Sequence, residues 1–160
     1  MSTNSTPENP ASGKLDDASD LEAFIDAQGF RFFKGRELTS YWSRVRDGAK
    51  NSVPPRNLWP NIIPTLKALD KLREEMCAPI RLLSTYRNPD YNRAVGGELQ
   101  SFHMQFKAID FECDKGTPEQ WADALKLMRK KGVFSGGIGV YPRSGFVHID
   151  TRGYTADWRG

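Results

Sequence analysis

The stretch from Trp59 to Met76 does most to limit what this chain can fold into. Ile62, Ile63, Leu66, Leu69, Leu72 and Met76 recur at intervals of three and four, and Pro79 ends the run. That spacing puts the apolar side chains on one face of an α-helix, which must then be covered. Ile80-Arg-Leu-Leu-Ser84 follows at once and reads as a strand. Two later segments, Phe106 to Cys113 and Phe146 to Asp150, also read as strands, and Gly136 to Tyr141 reads as the partner of the last. The turn Pro142-Arg-Ser-Gly145 joins that pair. Shorter helices are expected over Asp20 to Gly29 and Glu37 to Val45, with Asn51 to Asn57 as a proline-containing loop. Thr117-Pro-Glu-Gln120 has the form of a helix start with a capping box, and Arg129-Lys-Lys-Gly132 that of a basic, glycine-terminated end. The expected class is α+β: a small, mainly antiparallel sheet packed with helices.

The chain's 160 residues suffice for one domain with a real core and scarcely for two. Residues 1–18, rich in Ser, Thr, Asn, Pro and Asp, read as a flexible tail, and 19–160 as a single domain. No apolar run approaches the roughly 20 residues of a membrane span, so no membrane anchor is expected. MSTNSTPENPASGK has neither a basic n-region nor an apolar h-region, which predicts synthesis in the cytoplasm without a secretory signal. Net charge is +3, with no basic stripe interleaved with aromatics; nucleic acid is therefore not an expected partner, and a monomer is expected. Cys77 and Cys113 lack a CxxC spacing and read as buried free thiols.

The chain has two histidines, and their positions are informative. His103 stands seven residues before Asp110, and His148 lies in the last expected strand. Alternate residues of a strand share a face. If Ile109, Phe111, Val147 and Ile149 face the core, Asp110, His148 and Asp150 face the other way. Two imidazoles and a carboxylate make up a catalytic zinc donor set, with the fourth position left open, and such a site suits amide hydrolysis. On spacing alone the pattern is weak, and two ordinary polar histidines with a strand-end Asp are the plainer reading of it.

Several motifs in order carry a resemblance. Ser84-Thr-Tyr-Arg-Asn-Pro-Asp-Tyr-Asn92 is followed by Gly96-Gly97, Ser101-Phe-His103, Ala108-Ile-Asp110, Gly137-x-Gly139-x-Tyr141-Pro142 and Phe146-Val-His-Ile-Asp150. Over residues 30–158 the chain resembles the zinc D-Ala-D-Ala carboxypeptidase family of peptidoglycan metallopeptidases, whose fold is shared with the hedgehog signalling domain and which includes phage endolysins. The resemblance implies Zn2+ held by His103, Asp110 and His148, and a peptide of the bacterial wall as substrate. It implies that Arg87 grips a substrate carboxylate through its planar, permanently charged fork. Ser101 and Tyr86 are further candidates for contact with the substrate. Together with the missing signal, it implies a phage-type lysin that acts at the cell wall or periplasm after release.

Two departures from the family pattern bear on chemistry. Phe106 stands where the family has Gly after H-x-x; on a strand model it would face the site and narrow it. Gly145 stands three residues before His148, where better-known members carry the Glu or Asp that serves as general base. Asp150 is the local substitute expected to act catalytically, against the alternative that it orients His148. Glu98 and Asp90 are further candidates from nearby loops. Without a base, the chain would be a zinc-containing but catalytically silent wall-binding or structural module. Trp42, Trp59, Trp121 and Trp158 read as packing residues, and Gly136-Gly-x-Gly139 as a closely approached strand.

Overall fold

The structure, a computed structural model, describes residues 15–160; the first fourteen residues of the expected tail lie outside them. Helix α1 (Leu15–Asp26) starts at Leu15 rather than Asp20, so the last residues assigned to the tail are helical. The expected second helix shrinks to α2 (Arg36–Thr39). Beyond it lies a hairpin of β1 (Val45–Arg46) and β2 (Ala49–Lys50), which its mostly polar sequence gave no reason to expect.

The amphipathic stretch divides into a 3-10 turn (Arg56–Ile62) and helix α3 (Ile63–Met76). Proline explains the division: Pro64 has no N–H to give to the carbonyl of Pro60, so the earlier turn stays tight. Leu66, Leu69 and Leu72 are fully buried, as the stripe requires. Next come β3 (Ile80–Ser84), the short α4 (Pro89–Ala94), β4 (Ala108–Cys113), α5 (Pro118–Lys130), β5 (Gly137–Tyr141), β6 (Phe146–Asp150) and β7 (Ala156–Arg159). The capping box at Thr117 and Gln120 is formed on both sides. Among the described residues, no helix is long and apolar enough to cross a membrane.

The main sheet has the order β3-β4-β6-β5-β7. Every neighbouring pair is antiparallel except β5 and β7, which run parallel. The architecture is the expected α+β, with a small antiparallel hairpin beside a mainly antiparallel sheet. Ile109, Phe111, Val147, Ile149 and Ile138 face the helices and form one core with α3 and α5. On the opposite face, register partners form a row across the whole sheet: Ser84, Asp110, His148, Gly139 and Trp158.

The expected strand from Phe106 begins only at Ala108. Phe106 has φ 55°, a left-handed conformation costly for a bulky L-residue. Its ring is fully buried, edge-on to Trp42 and Tyr86 at centroid distances of 6.4 and 6.2 Å. It therefore does not narrow the site, as a strand would have required; it pins the turn ahead of β4 to the core.

Both thiols are free, but Cys77 is exposed rather than buried. It takes up the left-handed position that ends α3.

Candidate metal centre

Asp110 and His148 are brought together by direct pairing of β4 and β6. His103 arrives from the turn before β4. Asn61 Nδ2 donates to the Gln105 carbonyl at 2.9 Å, and Thr65 Oγ1 to the Lys107 carbonyl at 2.8 Å, so the first residues of α3 and the turn before it hold this segment. Ligand atoms of His103, Asp110 and His148 lie within 4.8 Å of one another, and all three residues are buried.

Each imidazole spends one nitrogen on an acceptor. His103 Nδ1 lies 2.7 Å from the Thr85 carbonyl, and His148 Nε2 lies 2.7 Å from Asp150 Oδ2. A carbonyl and a carboxylate can only accept, so these nitrogens carry the protons. The remaining nitrogens, His103 Nε2 and His148 Nδ1, both approach Asp110 Oδ1, at 3.2 and 2.9 Å. In neutral rings these two nitrogens are lone pairs. Two lone pairs and a carboxylate facing one another repel unless a cation or a proton lies among them. The donor set and its outer acceptors therefore fit a divalent metal.

The electrostatics say the same for the metal-free state. Burial pushes the Asp110 carboxyl up, but the two imidazoles outweigh it and hold it well below the usual carboxylate range. Burial also lowers the basicity of both rings. It prevails at His103, whereas Asp110 and Asp150 together raise His148 above its ordinary value. In the metal-free state these surroundings thus favour a proton on His148 over one on His103.

The triad lies in a cleft of about 880 Å³. Its walls include Arg87, the loop from Val95 to Phe102, Tyr141, Phe146, Arg152 and Trp158. The site is therefore open to a ligand of peptide size.

The sequence matches the family model described as Peptidase M15 over residues 31–150. The chain belongs to the M15 peptidase family. It is similar to the peptidoglycan L,D-endopeptidase MepK of Escherichia coli (strain K12), at 33% identity over 132 residues covering 75% of this chain and 67% of the relative. It is also similar to the probable peptidoglycan L,D-endopeptidase MepK of Haemophilus influenzae, at 33% identity over 89 residues, which cover 52% and 44% of the two chains. No solved structure matches it.

In this M15 peptidase the sequence-expected residues separate into those on the cleft and those behind it. Arg87 is on the cleft, with Nη2 3.1 Å from Asp110 Oδ2, Nε 3.1 Å from Ser84 Oγ and Nη1 3.4 Å from Asn92 Oδ1. Ser101 is on the cleft too, and its Oγ accepts from the His103 amide at 3.2 Å, a turn-forming bond. Tyr86, expected to contact the substrate, does not line the cleft: its ring packs on Phe106 in the core.

Asp150 shares the face of His148 as expected, but it is fully buried and its oxygens are committed. Besides His148 they accept from the Gly137 amide at 3.0 Å, the Arg152 amide at 3.1 Å, and Arg152 Nε and Nη2 at 2.9 and 2.7 Å. Burial opposes its ionisation, yet Arg152 and then His148 hold it well below the usual carboxylate range. These surroundings do not suit the expected base role, since a carboxylate so stabilised is a poor proton acceptor. Asp90 lies off the cleft and pairs with Arg93 at 3.6 Å. Glu98 is exposed on the cleft wall.

Three groups at the site escaped sequence reasoning. The Thr85 carbonyl left no signal, being backbone. Arg152 lies two residues past Asp150, and only the strand pairing shows why that matters. Trp158, expected as packing, lines the cleft with its ring 5.1 Å from that of His148. The glycine run does carry a signal for it. A Cβ on Gly139 would lie 2.4 Å from the Trp158 ring, and one on Gly137 would lie 2.7 Å from Asp150 Oδ2.

Proposed function

We propose that this peptidase is zinc-dependent and hydrolyses a peptide bond in the stem peptides or cross-links of peptidoglycan, at an L,D-type bond of the kind its MepK relatives are named for. The observation that supports this most directly is the convergence of two imidazole lone pairs and one carboxylate on a cleft floor, in a chain of the M15 family. His103 Nε2, Asp110 and His148 Nδ1 are the proposed ligands, and zinc is the ion whose preferences match two imidazoles and a carboxylate. When bound, the ion supplies Lewis acidity toward a carbonyl and acidifies water.

The chain's own residues supply the rest. Thr85 and Asp150 fix the tautomer and direction of the two rings, so the donor set is aligned before any ligand arrives. Arg87 offers a guanidinium at the cleft wall for a peptide carboxylate while steadying Asp110. Ser101 shapes the turn that carries His103 and presents its hydroxyl to the same cleft. Asp150 is assigned to orienting His148. Of the candidate bases, Glu98 is the one that lines the cleft with an exposed carboxylate, and it is assigned the transfer of a proton from water to the leaving amine.

Digestion of purified cross-linked muropeptides, read by mass, tests this. New amine ends are expected; they disappear with chelator, return with zinc, and are absent in His148→Ala. Glu98→Gln should lower kcat by about 10²-fold or more while leaving zinc content unchanged. Absence of cleavage by zinc-loaded protein that still binds sacculi would refute the enzyme and favour a silent binding module.

A further inference from the structure

Arg152 is built into the cleft more elaborately than support of Asp150 alone requires. Gly137 makes room for it: a Cβ there would lie 2.8 Å from Arg152 Nη2 and 2.9 Å from Nε. Asp150 holds it by a two-point fork at 2.9 and 2.7 Å. Phe102 and Trp158 flank it, with ring centroids 4.4 and 5.1 Å from the guanidinium carbon. The side chain is only 15% exposed, yet the residue lines the cleft. Its fork to Asp150 uses Nε and Nη2; Tyr154 is a further neighbour, its ring 5.5 Å from the guanidinium carbon and its hydroxyl interacting with the cation, so a second acceptor would meet the Nη1 side beside Tyr154.

Sheet order places this cation with respect to the first one. Arg87 stands just beyond β3 and bonds to Asp110 on β4. Arg152 follows β6 and is packed against Gly137 of β5 and Trp158 of β7. The triad, with Asp110 on β4, His148 on β6 and His103 in the turn before β4, lies between the two in this order. A guanidinium fixed by one carboxylate and lodged between aromatic faces is oriented before binding. It therefore loses little freedom on gripping a second carboxylate.

We propose that Arg152 reads a substrate carboxylate on the far side of the scissile amide from the one held by Arg87. The substrate class is then a cross-linked peptide that carries a free carboxylate on each side of the bond cut. This rests on the function proposed above and goes further, because it distinguishes cross-links with free carboxylates from amidated ones.

Four cross-linked peptides test it: both carboxylates free, each one amidated singly, and both amidated. The zinc-loaded full chain should cleave each singly amidated peptide about tenfold or more slowly in kcat/KM. R152Q should become indifferent to one of the two amidations and keep its sensitivity to the other; R87Q should show the converse. Loss of activity that spares the discrimination is what a purely structural Arg152 would give, and it would overturn the proposal. So would a wild-type enzyme indifferent to amidation, a result that needs no variant to fold. If R152Q does not fold, R152K takes its place, and its discrimination should fall short of the wild type's. Failure to cleave even the fully free peptide would instead overturn the parent reading, and this inference with it.

Discussion

Replacing Phe106 separates two opposed energies that the turn before β4 combines. Its ring is completely buried against Trp42 and Tyr86, so truncation to Ala should cost about 3–5 kcal/mol. Its backbone, at φ 55°, also carries the left-handed penalty of about 1–2 kcal/mol that any L-residue with a Cβ bears. Phe106→Ala loses the packing and keeps the penalty. Phe106→Gly loses the same packing, sheds the penalty, and adds only the backbone entropy of glycine, about 0.5–1 kcal/mol. F106G should therefore be more stable than F106A by about 0.5–1 kcal/mol, the reverse of the usual order for these two residues. Urea unfolding of the metal-free protein, followed by tryptophan fluorescence, measures this, with Trp42 beside the site of change. Zinc affinity should follow the order wild type, F106G, F106A, because the Phe106 amide bonds to the His103 carbonyl at 3.3 Å and its conformation sets the path between two ligands. An F106A protein as stable as F106G, or more so, would show that the left-handed backbone is not a cost there and would refute the reasoning.

Three other outcomes are expected. Asp150→Asn removes the charge that orients His148, and zinc affinity should fall about 10–100-fold in a chelator competition; unchanged affinity would show that His148 needs no such support. Gly139→Ala places a Cβ 2.4 Å from the Trp158 ring and should destabilise by about 1–3 kcal/mol. The double variant G139A/W158A should then lose less than the sum of the singles, and strict additivity in denaturation would contradict the close contact. In metal-free protein the two rings oppose one another around neutrality: His103, lowered by burial, contributes stability that is complete above 6.5 and is lost as pH falls through the folded value. The folded-state pKa of His148 is raised, so its contribution is complete below 6.5 and is lost as pH rises through the folded value. Asp110 and Asp150 are depressed, so theirs are complete above 3.8 and drain away as pH falls. Because the His103 contribution is complete above neutrality, stability of the chelated protein that kept rising from about pH 7.5 to about pH 9 would argue against a raised His148.

The shared face of Asp110 and His148 was legible because strand alternation is a strong constraint. Once Ile109, Phe111, Val147 and Ile149 are committed to the core, Asp110 and His148 have one face left to occupy. Helices α3 and α5 were legible from their stripe and capping box. What failed to show was decided by tertiary context. Phe106 continues an apolar pattern that reads as strand, but the turn required for His103 to reach Asp110 takes it out of the strand. Asp150 reads equally well as a base or as a support, and only the fork from Arg152 and the contact with His148 Nε2 separate the two. β7 was missed because its burial is partial and its pairing with β5 is distant and parallel. Trp158 was therefore judged by its residue type rather than by the glycine opposite it.

On the function proposed above, Gly145 marks a division between metal binding and turnover. It closes the turn between β5 and β6 at φ 77°, with its amide bonded to the Tyr141 carbonyl at 2.9 Å. A side chain there would carry the left-handed penalty, so the tight hairpin and a carboxylate at this position compete. The hairpin in turn fixes the register of β5 on β6, which sets Gly139 beside His148 and lets Trp158 lie across it. On that same proposal, proton transfer is served from outside the sheet, by the exposed Glu98 on the cleft wall. The proposed ligands depend on strands, buried acceptors and α3; the loop from Val95 to Gln100 is held in part by Asn92, whose Nδ2 donates to the Glu98 carbonyl at 2.8 Å. Exchanging that loop should therefore change rate and specificity while zinc affinity stays close to the original. Zinc loss in parallel with rate would mean that the loop and the triad are one unit, and the division would not hold.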